Sequence, residues 1–180
     1  PDLTKEAIDK DGWFHTGDIG HIDEEGFLKI TDRKKEMFKS SSGKYIAPQV
    51  IENKFKESFF IEQLMVIGEN EKFASALISP NIKFLHDWCS IHKVQFRDNQ
   101  ELIQIPQVIE RYQKEVNKYN VSLGEHEKIK RFRLVCDEWS PQTGELSPTQ
   151  KLKRGFVFDK YEHIIAEIYQ HGKNGKNGKI

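Results

Sequence analysis

Cysteine is scarce and neither sign of charge is in excess. The 180 residues hold two cysteines, Cys89 and Cys136, far apart and with no Cys-x-x-Cys spacing. Such a pair supports neither a disulfide framework nor a thiolate metal site, and reads as two reduced thiols. Lys+Arg and Asp+Glu both number 28, for a formal net charge of zero. Nucleic-acid binders usually show a basic excess, so no nucleic-acid partner is expected. No apolar run approaches the roughly 18 residues that suggest a membrane span. No secretory signal is recognisable. There is no Gly-rich loop ending in Lys-Ser/Thr and no Gly-x-Gly-x-x-Gly. The seven histidines are scattered, and His86 and His92 are too far apart for one i,i+4 face, so no metal site of the protein's own is expected. No Ser/His/Asp triad can be argued.

What is present is 31% charged and 37% hydrophobic residues, a surface-rich composition with an adequate core. The chain starts at Pro1 in a polar, turn-like segment and is read as a fragment of something longer. Its expected location is the cytoplasm.

The stretch from Gly26 to Pro48 organises the rest. Phe27, Leu28 and Ile30 predict a strand, which breaks into charge at Asp32-Arg33-Lys34-Lys35-Glu36. Met37 and Phe38 restart an apolar run that Lys39 ends. Ser40-Ser41-Ser42-Gly43 then predicts a turn, and Pro48 suits the first turn of a helix. Two short strands flanking a charged joint suggest a hinge, which needs a few element-terminal residues to absorb φ/ψ change.

Before the joint, residues 1–12 predict a short helix, Trp13-Phe14-His15 a strand start, Thr16-Gly17-Asp18 a turn and Ile19–Asp23 a strand. After it, residues 48–58 predict a helix with Val50, Ile51 and Phe55 on one face and Glu52, Lys54 and Lys56 outside. Residues 61–67 and 73–78 predict a β-hairpin. Asn81 is placed to cap a helix over 81–92. Residues 101–105 predict a short helix or link. Residues 106–120 predict a longer helix with Val108, Ile109, Tyr112, Val116 and Tyr119 as its stripe. One more helical turn is expected over 125–129, and a strand over 131–135. Residues 139–150 predict a loop. Residues 156–169 predict one terminal helix, with Phe158, Tyr161, Ile165 and Ile168 facing in. Residues 171–180, repeating Gly-Lys-Asn, are expected to form a mobile tail. This order suggests an α+β or α/β domain over about 32–170, preceded by the trailing edge of another domain over 1–31.

Three charged places invite chemistry: Asp18 on its Gly-preceded turn, Asp32-Arg33 with Lys39 beyond, and Lys151-Leu152-Lys153-Arg154 after a long loop. A lysine on such a loop can bring a compact charge to a phosphate and withdraw it. Taken singly, Thr-Gly-Asp is an ordinary turn. Asp32-Arg33 is a local salt bridge at a strand end, and the last cluster is a solvated basic face before a helix.

Taken as an ordered set they say more. Asp11-Gly12-Trp13-Phe14-His15-Thr16-Gly17-Asp18-Ile19-Gly20 is followed by Gly26-Phe-Leu-Lys-Ile-Thr-Asp-Arg-Lys-Lys-Glu36. Then come Lys44-Tyr-Ile-Ala-Pro-Gln-Val-Ile-Glu52 and Ser147-Pro-Thr-Gln-Lys-Leu-Lys-Arg154. This series resembles the C-terminal portion of adenylate-forming enzymes, and most of all the long-chain fatty acid–CoA ligases. The resemblance runs through almost the whole chain up to the Gly-Lys-Asn tail. Glu127-Lys-Ile-Lys130 is also similar to the long-chain branch.

The resemblance implies an α+β lid domain, a short two-stranded hairpin plus a small mixed sheet flanked by helices. It implies the ATP-dependent ligation of a fatty acid to CoA through acyl-AMP, with AMP and diphosphate as products. Asp18 would bond the ribose hydroxyls of the nucleotide and Arg33 would contact it nearby. Asp32 would be the hinge. Lys151 would meet the α-phosphate and carboxylate during adenylation, and Lys39 matches a lysine that some relatives use in the second half-reaction. Gly43 would lie on the loop near the CoA channel. ATP/AMP, CoA and Mg²⁺ would belong to the full-length enzyme, with none bound by this chain alone. Its partners would be the fatty acid, ATP, CoA and the N-terminal AMP-binding domain of the same chain. Peripheral membrane contact is left open by so greasy a substrate. Gln150 stands where many relatives have Gly, and Glu145-Leu146-Ser147 is more polar than usual. An acyl carrier protein as acceptor, another carboxylate as substrate, and a non-catalytic lid-like binding domain remain the alternatives.

Overall fold

The computed structural model describes residues 4, 7–33 and 36–170, and for residues 31–33 the backbone alone. The tail expected over 171–180 and residues 1–3, 5 and 6 of the helix expected over 1–12 lie outside the described residues. The strands are β1 (Asp18–Ile22), β2 (Leu28–Arg33), β3 (Phe38–Lys39), β4 (Tyr45–Ile46), β5 (Ile61–Ile67), β6 (Ser75–Pro80) and β7 (Arg131–Leu134). The helices are α1 (Pro48–Phe55), α2 (Ile82–His92), α3 (Asn99–Leu102), α4 (Pro106–Asn120), α5 (Arg154–Lys160) and α6 (Glu162–Gln170). The fold is α+β: two antiparallel hairpins, β1–β2 and β3–β4, and a mixed sheet in the order β5–β6–β7.

That sheet is antiparallel between β5 and β6 and parallel between β6 and β7, with Ser75 opposite Arg131 and Ile78 opposite Leu134. A parallel pair needs a long crossover, and α2, α3 and α4 supply it. Period-2 alternation divides the apolar residues between two faces. Leu64, Val66, Ala76 and Ile78 point to a core shared with Ile51 and Phe55 of α1, Leu85 and Cys89 of α2, and Val108, Tyr112 and Val116 of α4. Met65, Ile67 and Leu77 point the other way, to Val157 of α5, Ile165 and Ile168 of α6, and Trp139 and Leu146 of the preceding loop. Helices therefore cover both faces.

Local signals account for the element ends. Asn81 accepts a hydrogen bond from the Phe84 N–H at 3.0 Å and so caps α2. Pro48 and Pro106 stand at the first turns of α1 and α4, where a missing N–H costs nothing.

Three expectations are corrected. Glu52 is buried with Pro48, Ile51 and Phe55, because positions 48, 51, 52 and 55 follow the 3–4 spacing of a single helical face, while Val50 is exposed. In α4 the inward stripe takes in Glu115, held by the Ser58 hydroxyl at 2.6 Å and by Arg111, whereas Ile109 is exposed. Residues 124–128 make the one helical turn expected there, closed by the Lys128 N–H on the Gly124 carbonyl at 3.1 Å, and it does not grow into a helix. The terminal helix is two helices that meet at Tyr161, whose hydroxyl is tied to Asp137, and Phe158 is exposed.

Leu77 is fully buried on the second face. Leu77→Ala is expected to cost about 2–5 kcal/mol, through lost transfer energy and the cavity left behind. The drop in the denaturation midpoint measures it, and a cost below about 1 kcal/mol would mean that this face is not sealed.

Candidate functional site

The structure brings Asp18 and Arg33 together. They are directly opposite each other across the β1–β2 hairpin, and Asp32 is opposite Ile19. The register slips between Ile19 and Gly20, so Thr31 is the extra residue of a bulge next to Asp32. Bulges bend a strand and re-aim its residues. Gly20 permits the close approach, since a Cβ there would stand 2.6 Å from the Lys29 carbonyl oxygen. Asp18 is exposed, and its N–H donates to the Thr16 hydroxyl at 3.1 Å.

Lys39 and Gly43 share the β3–β4 hairpin. The Lys39 ammonium stands 5.0 Å over the ring of Tyr45, its partner in register. Gly43 has φ 79°, and its N–H donates to the Ser40 carbonyl at 2.9 Å. A Cβ at Gly43 would meet nothing within 4 Å, so only the left-handed backbone favours glycine here. The hairpin is stitched to the β5–β6 turn: the Asn70 N–H donates to the Lys39 carbonyl at 2.8 Å and the Ser41 N–H to that of Glu71 at 2.9 Å.

Lys151 is exposed on a separate hairpin loop that is closed by a bridge between Leu146 and Leu152. The Ser147 N–H donates to the Lys151 carbonyl at 2.7 Å, and the Lys151 N–H to the Ser147 hydroxyl at 3.0 Å. Gln150, at φ 61°, makes the turn in the left-handed region. That is the physical sense of the glycine expected there: the position demands αL, which costs a non-glycine residue about 1–2 kcal/mol.

Buried charge fixes both flanks of this loop: Lys151 and Lys153 are exposed, as charge alone suggests, but Arg154 is not. On one side Glu145 is buried and meets Lys160 Nζ at 2.7 Å; Lys160 also meets Asp137 at 2.9 Å. The Tyr161 hydroxyl donates to Asp137 at 2.6 Å and accepts from the Trp139 indole at 3.1 Å. The polar approach Glu145-Leu146-Ser147 is therefore well packed. On the other side Arg154 Nη2 donates to the two carboxylate oxygens of Glu52 at 2.7 and 2.6 Å. The Val66 N–H adds a bond to Glu52 at 2.8 Å, and Arg154 Nη1 donates to the Val66 carbonyl at 3.3 Å. A cavity of about 700 Å³ adjoins Arg154, lined among others by Met37, Phe38, Met65, Leu152 and Phe158. Sequence reasoning missed the partnership of Glu52 and Arg154. The spacing that places Glu52 on the apolar face of α1 was the available signal, since a carboxylate there demands a cation.

Protonation follows these contacts. The Tyr161 hydroxyl, helped by Lys160, holds Asp137 below its ordinary value. Burial pushes Glu145 up, but Lys160 and Thr143 outweigh it and leave it lowered. Desolvation pulls Lys160 down, yet its two carboxylates hold it above the ordinary lysine value. Glu52 is pushed up by burial, against the pull of Arg154 and the Val66 N–H. Among the described residues no group of three or more His, Cys, Asp or Glu could hold a metal ion. No helix among them is long and apolar enough to cross a membrane.

Residues 36–173 match the family model of the AMP-binding enzyme C-terminal domain. The chain belongs to that family. This C-terminal domain is 36% identical over 167 residues to the long-chain-fatty-acid–CoA ligase FadD15 of Mycobacterium tuberculosis, a match that covers 92% of the chain and 28% of the relative. It is 36% identical over 171 residues to long-chain-fatty-acid–CoA ligase 6 of Rattus norvegicus, covering 93% and 24%. Among solved structures it is similar to the adenylation domain of a carboxylate reductase from Mycobacterium chelonae, at TM-score 0.73 and 22% identity over 94% of this chain and 25% of that one. The corresponding Segniliparus rugosus domain, in complex with AMP and a co-purified carboxylic acid, also gives TM-score 0.73 at 22% identity, over 95% of this chain and 25% of that one. These two likenesses speak to the fold. The chain thus spans about a quarter of the length of the curated relatives it matches.

Two predictions concern the lysine loop. Gln150→Gly is expected to be neutral or to stabilise by up to about 1 kcal/mol, because relief of the αL penalty offsets the added chain entropy. Gln150→Val should destabilise, and equal melting of the two variants would contradict the left-handed assignment. Lys160→Met should cost about 1–3 kcal/mol at neutral pH, by leaving buried Glu145 unpaired. Asp137 and Glu145 lie below their ordinary values of 3.8 and 4.5, so the stability they lend is complete above about pH 4.5 and drains as pH falls through the folded values. The gap between wild type and Lys160→Met should therefore narrow toward about pH 3 in pH-dependent melts. A constant gap would mean that Lys160 acts by packing alone.

Proposed function

We propose that this C-terminal domain serves an ATP-dependent long-chain fatty acid–CoA ligase, which forms acyl-AMP and then transfers the acyl group to CoA. The observation that carries the reading is the match to long-chain ligases of a bacterium and a mammal across more than nine-tenths of the chain. In this reading residues 32–170 are the lid and residues 1–31 the trailing strands of the large AMP-binding domain. Trp13, Phe14, Ile22, Phe27, Leu28 and Ile30 are exposed before the joint. They are the apolar surface that such a neighbour would cover.

Asp18 and Arg33 hold the nucleotide near its ribose. Asp32, beside the bulge, is the pivot. Lys151 offsets charge that develops on the α-phosphate and carboxylate in a closed, dry site, where one such donor is worth about 3–4 kcal/mol. Lys39 and the Gly43 loop serve the thioester half-reaction, by approach to the CoA channel. The Mg²⁺ that accompanies ATP is held outside this chain. The domain works in the cytoplasm or at the surface of a membrane, where its acyl substrate collects.

The half-reactions separate these roles in the full-length enzyme. Lys151→Ala should lower acyl-AMP formation about 10²–10³-fold and spare thioester formation from supplied acyl-AMP. Gly43→Leu should do the reverse. Asp32→Pro, which fixes φ and removes an N–H, should trap the enzyme in one half-reaction. Equal loss of both half-reactions in Lys151→Ala would refute its role, and normal CoA turnover in Gly43→Leu would count against the loop. Replacing CoA by an acyl carrier protein tests the rival acceptor.

A further inference from the structure

We propose that Arg154 and Glu52 are positioning residues for Lys151, fixing where the lysine loop stands without touching the reacting atoms. The inference rests on the reading of Lys151 as the adenylation lysine. Arg154 opens α5, three residues after Lys151, and Leu152 between them is bridged to Leu146. Its guanidinium meets three separate stretches of chain: the Glu52 carboxylate on α1, the Val66 carbonyl on β5, and Glu36 at 3.6 Å, just past the joint. Glu52 in turn holds the Val66 N–H. The side chains of Glu52 and Arg154 are only 7% and 23% exposed.

A pair so buried is a weak source of stability, because desolvation consumes most of the Coulombic gain. What it supplies is direction. Arg154 sends Nη2 to the Glu52 carboxylate and Nη1 to the Val66 carbonyl, and two partners on one planar group fix its orientation as well as its distance, which an ammonium's rotatable donors would not. Here the guanidinium is referenced to β5, through the Val66 carbonyl. Lys151 leaves this anchor on a short, hydrogen-bonded loop, so its ammonium is presented from a fixed base. Through Glu36 the same anchor reaches the chain that leaves Asp32, so the lysine loop and the joint's exit strand turn as one body.

The test uses the full-length enzyme with Arg154→Lys, the double variant Glu52→Met/Arg154→Leu, and Lys151→Ala alone and combined with the double variant. Replacing both charges by apolar residues of similar size is often neutral for folding, but the Val66 N–H and carbonyl lose their partners, so the double variant should melt somewhat below wild type and still fold. Acyl-AMP formation should fall about 10–100-fold, as a misplacement on the order of 1 Å does. Thioester formation from supplied acyl-AMP should be unchanged. Arg154→Lys should fall part of the way. In the Lys151→Ala background the double variant should add no further loss, since the positioned group is already gone.

Four results would overturn the inference: a folded double variant with normal acyl-AMP formation, equal loss in both half-reactions, a further full loss on top of Lys151→Ala, or a double variant that does not fold. Normal acyl-AMP formation in Lys151→Ala would instead reject the reading of Lys151 itself, and this inference with it.

Discussion

Strand β6 is buried at each of its residues from Ser75 to Pro80. The rest of the domain depends on that constraint. A strand shut off from water on both faces needs an apolar layer on each, and two separate stretches of chain supply them. The layer of α1, α2 and α4 comes from the middle of the sequence, whereas α5, α6 and the lysine loop come from its end. β7 joins the two: it enters after the long crossover, pairs parallel to β6, and delivers the chain to the second face. The loop bearing Lys151 is thus held against the sheet by the packing of Leu146 and Val157, and not by its own hydrogen bonds alone.

Charge is used differently in the two halves of the chain. Before the joint, the ion pair Lys29–Asp23 is largely open to water on the lysine side, as are the apolar side chains of the hairpin. Around the lysine loop Glu52, Arg154 and Glu145 are sunk into the fold, and Lys160 ties Glu145 to the half-exposed Asp137. Exposed pairs contribute little and are screened by salt. Buried ones hold geometry, because losing either partner strands a charge. The candidate site therefore combines an open side, where the bulge adjoins Asp32, with a side anchored by buried charge, where Lys151 is mounted.

Much of this was legible in the sequence. The hairpin 61–67/73–78, the Asn81 cap and the proline-started helices follow from short-range rules that act within a few residues, and the ordered motifs led to the family. What escaped depended on partners far along the chain. Glu52 meets Arg154 and Tyr161 meets Asp137, contacts that no local window contains. Arg154 read alone is one more surface cation; only the inward face of α1 hints otherwise. Ile109 and Phe158 erred in the opposite direction. Both are large apolar residues at helical spacing, yet the faces they occupy look outward, since a helix needs only one stripe to be buried. The left-handed turn at Gln150 was hidden for a related reason, as glutamine carries no local signal for positive φ.

The Val66 backbone has a significance beyond the orientation of a loop. β5 is an outer strand of its sheet, paired on one side by β6. Outer strands carry free N–H and carbonyl groups that invite pairing with a strand from another molecule, the first step of aggregation. At Val66 both groups are already taken, the N–H by Glu52 and the carbonyl by Arg154. A carboxylate and a guanidinium there do the work of a neighbouring strand, so that the domain does not offer this stretch of its border to a foreign one.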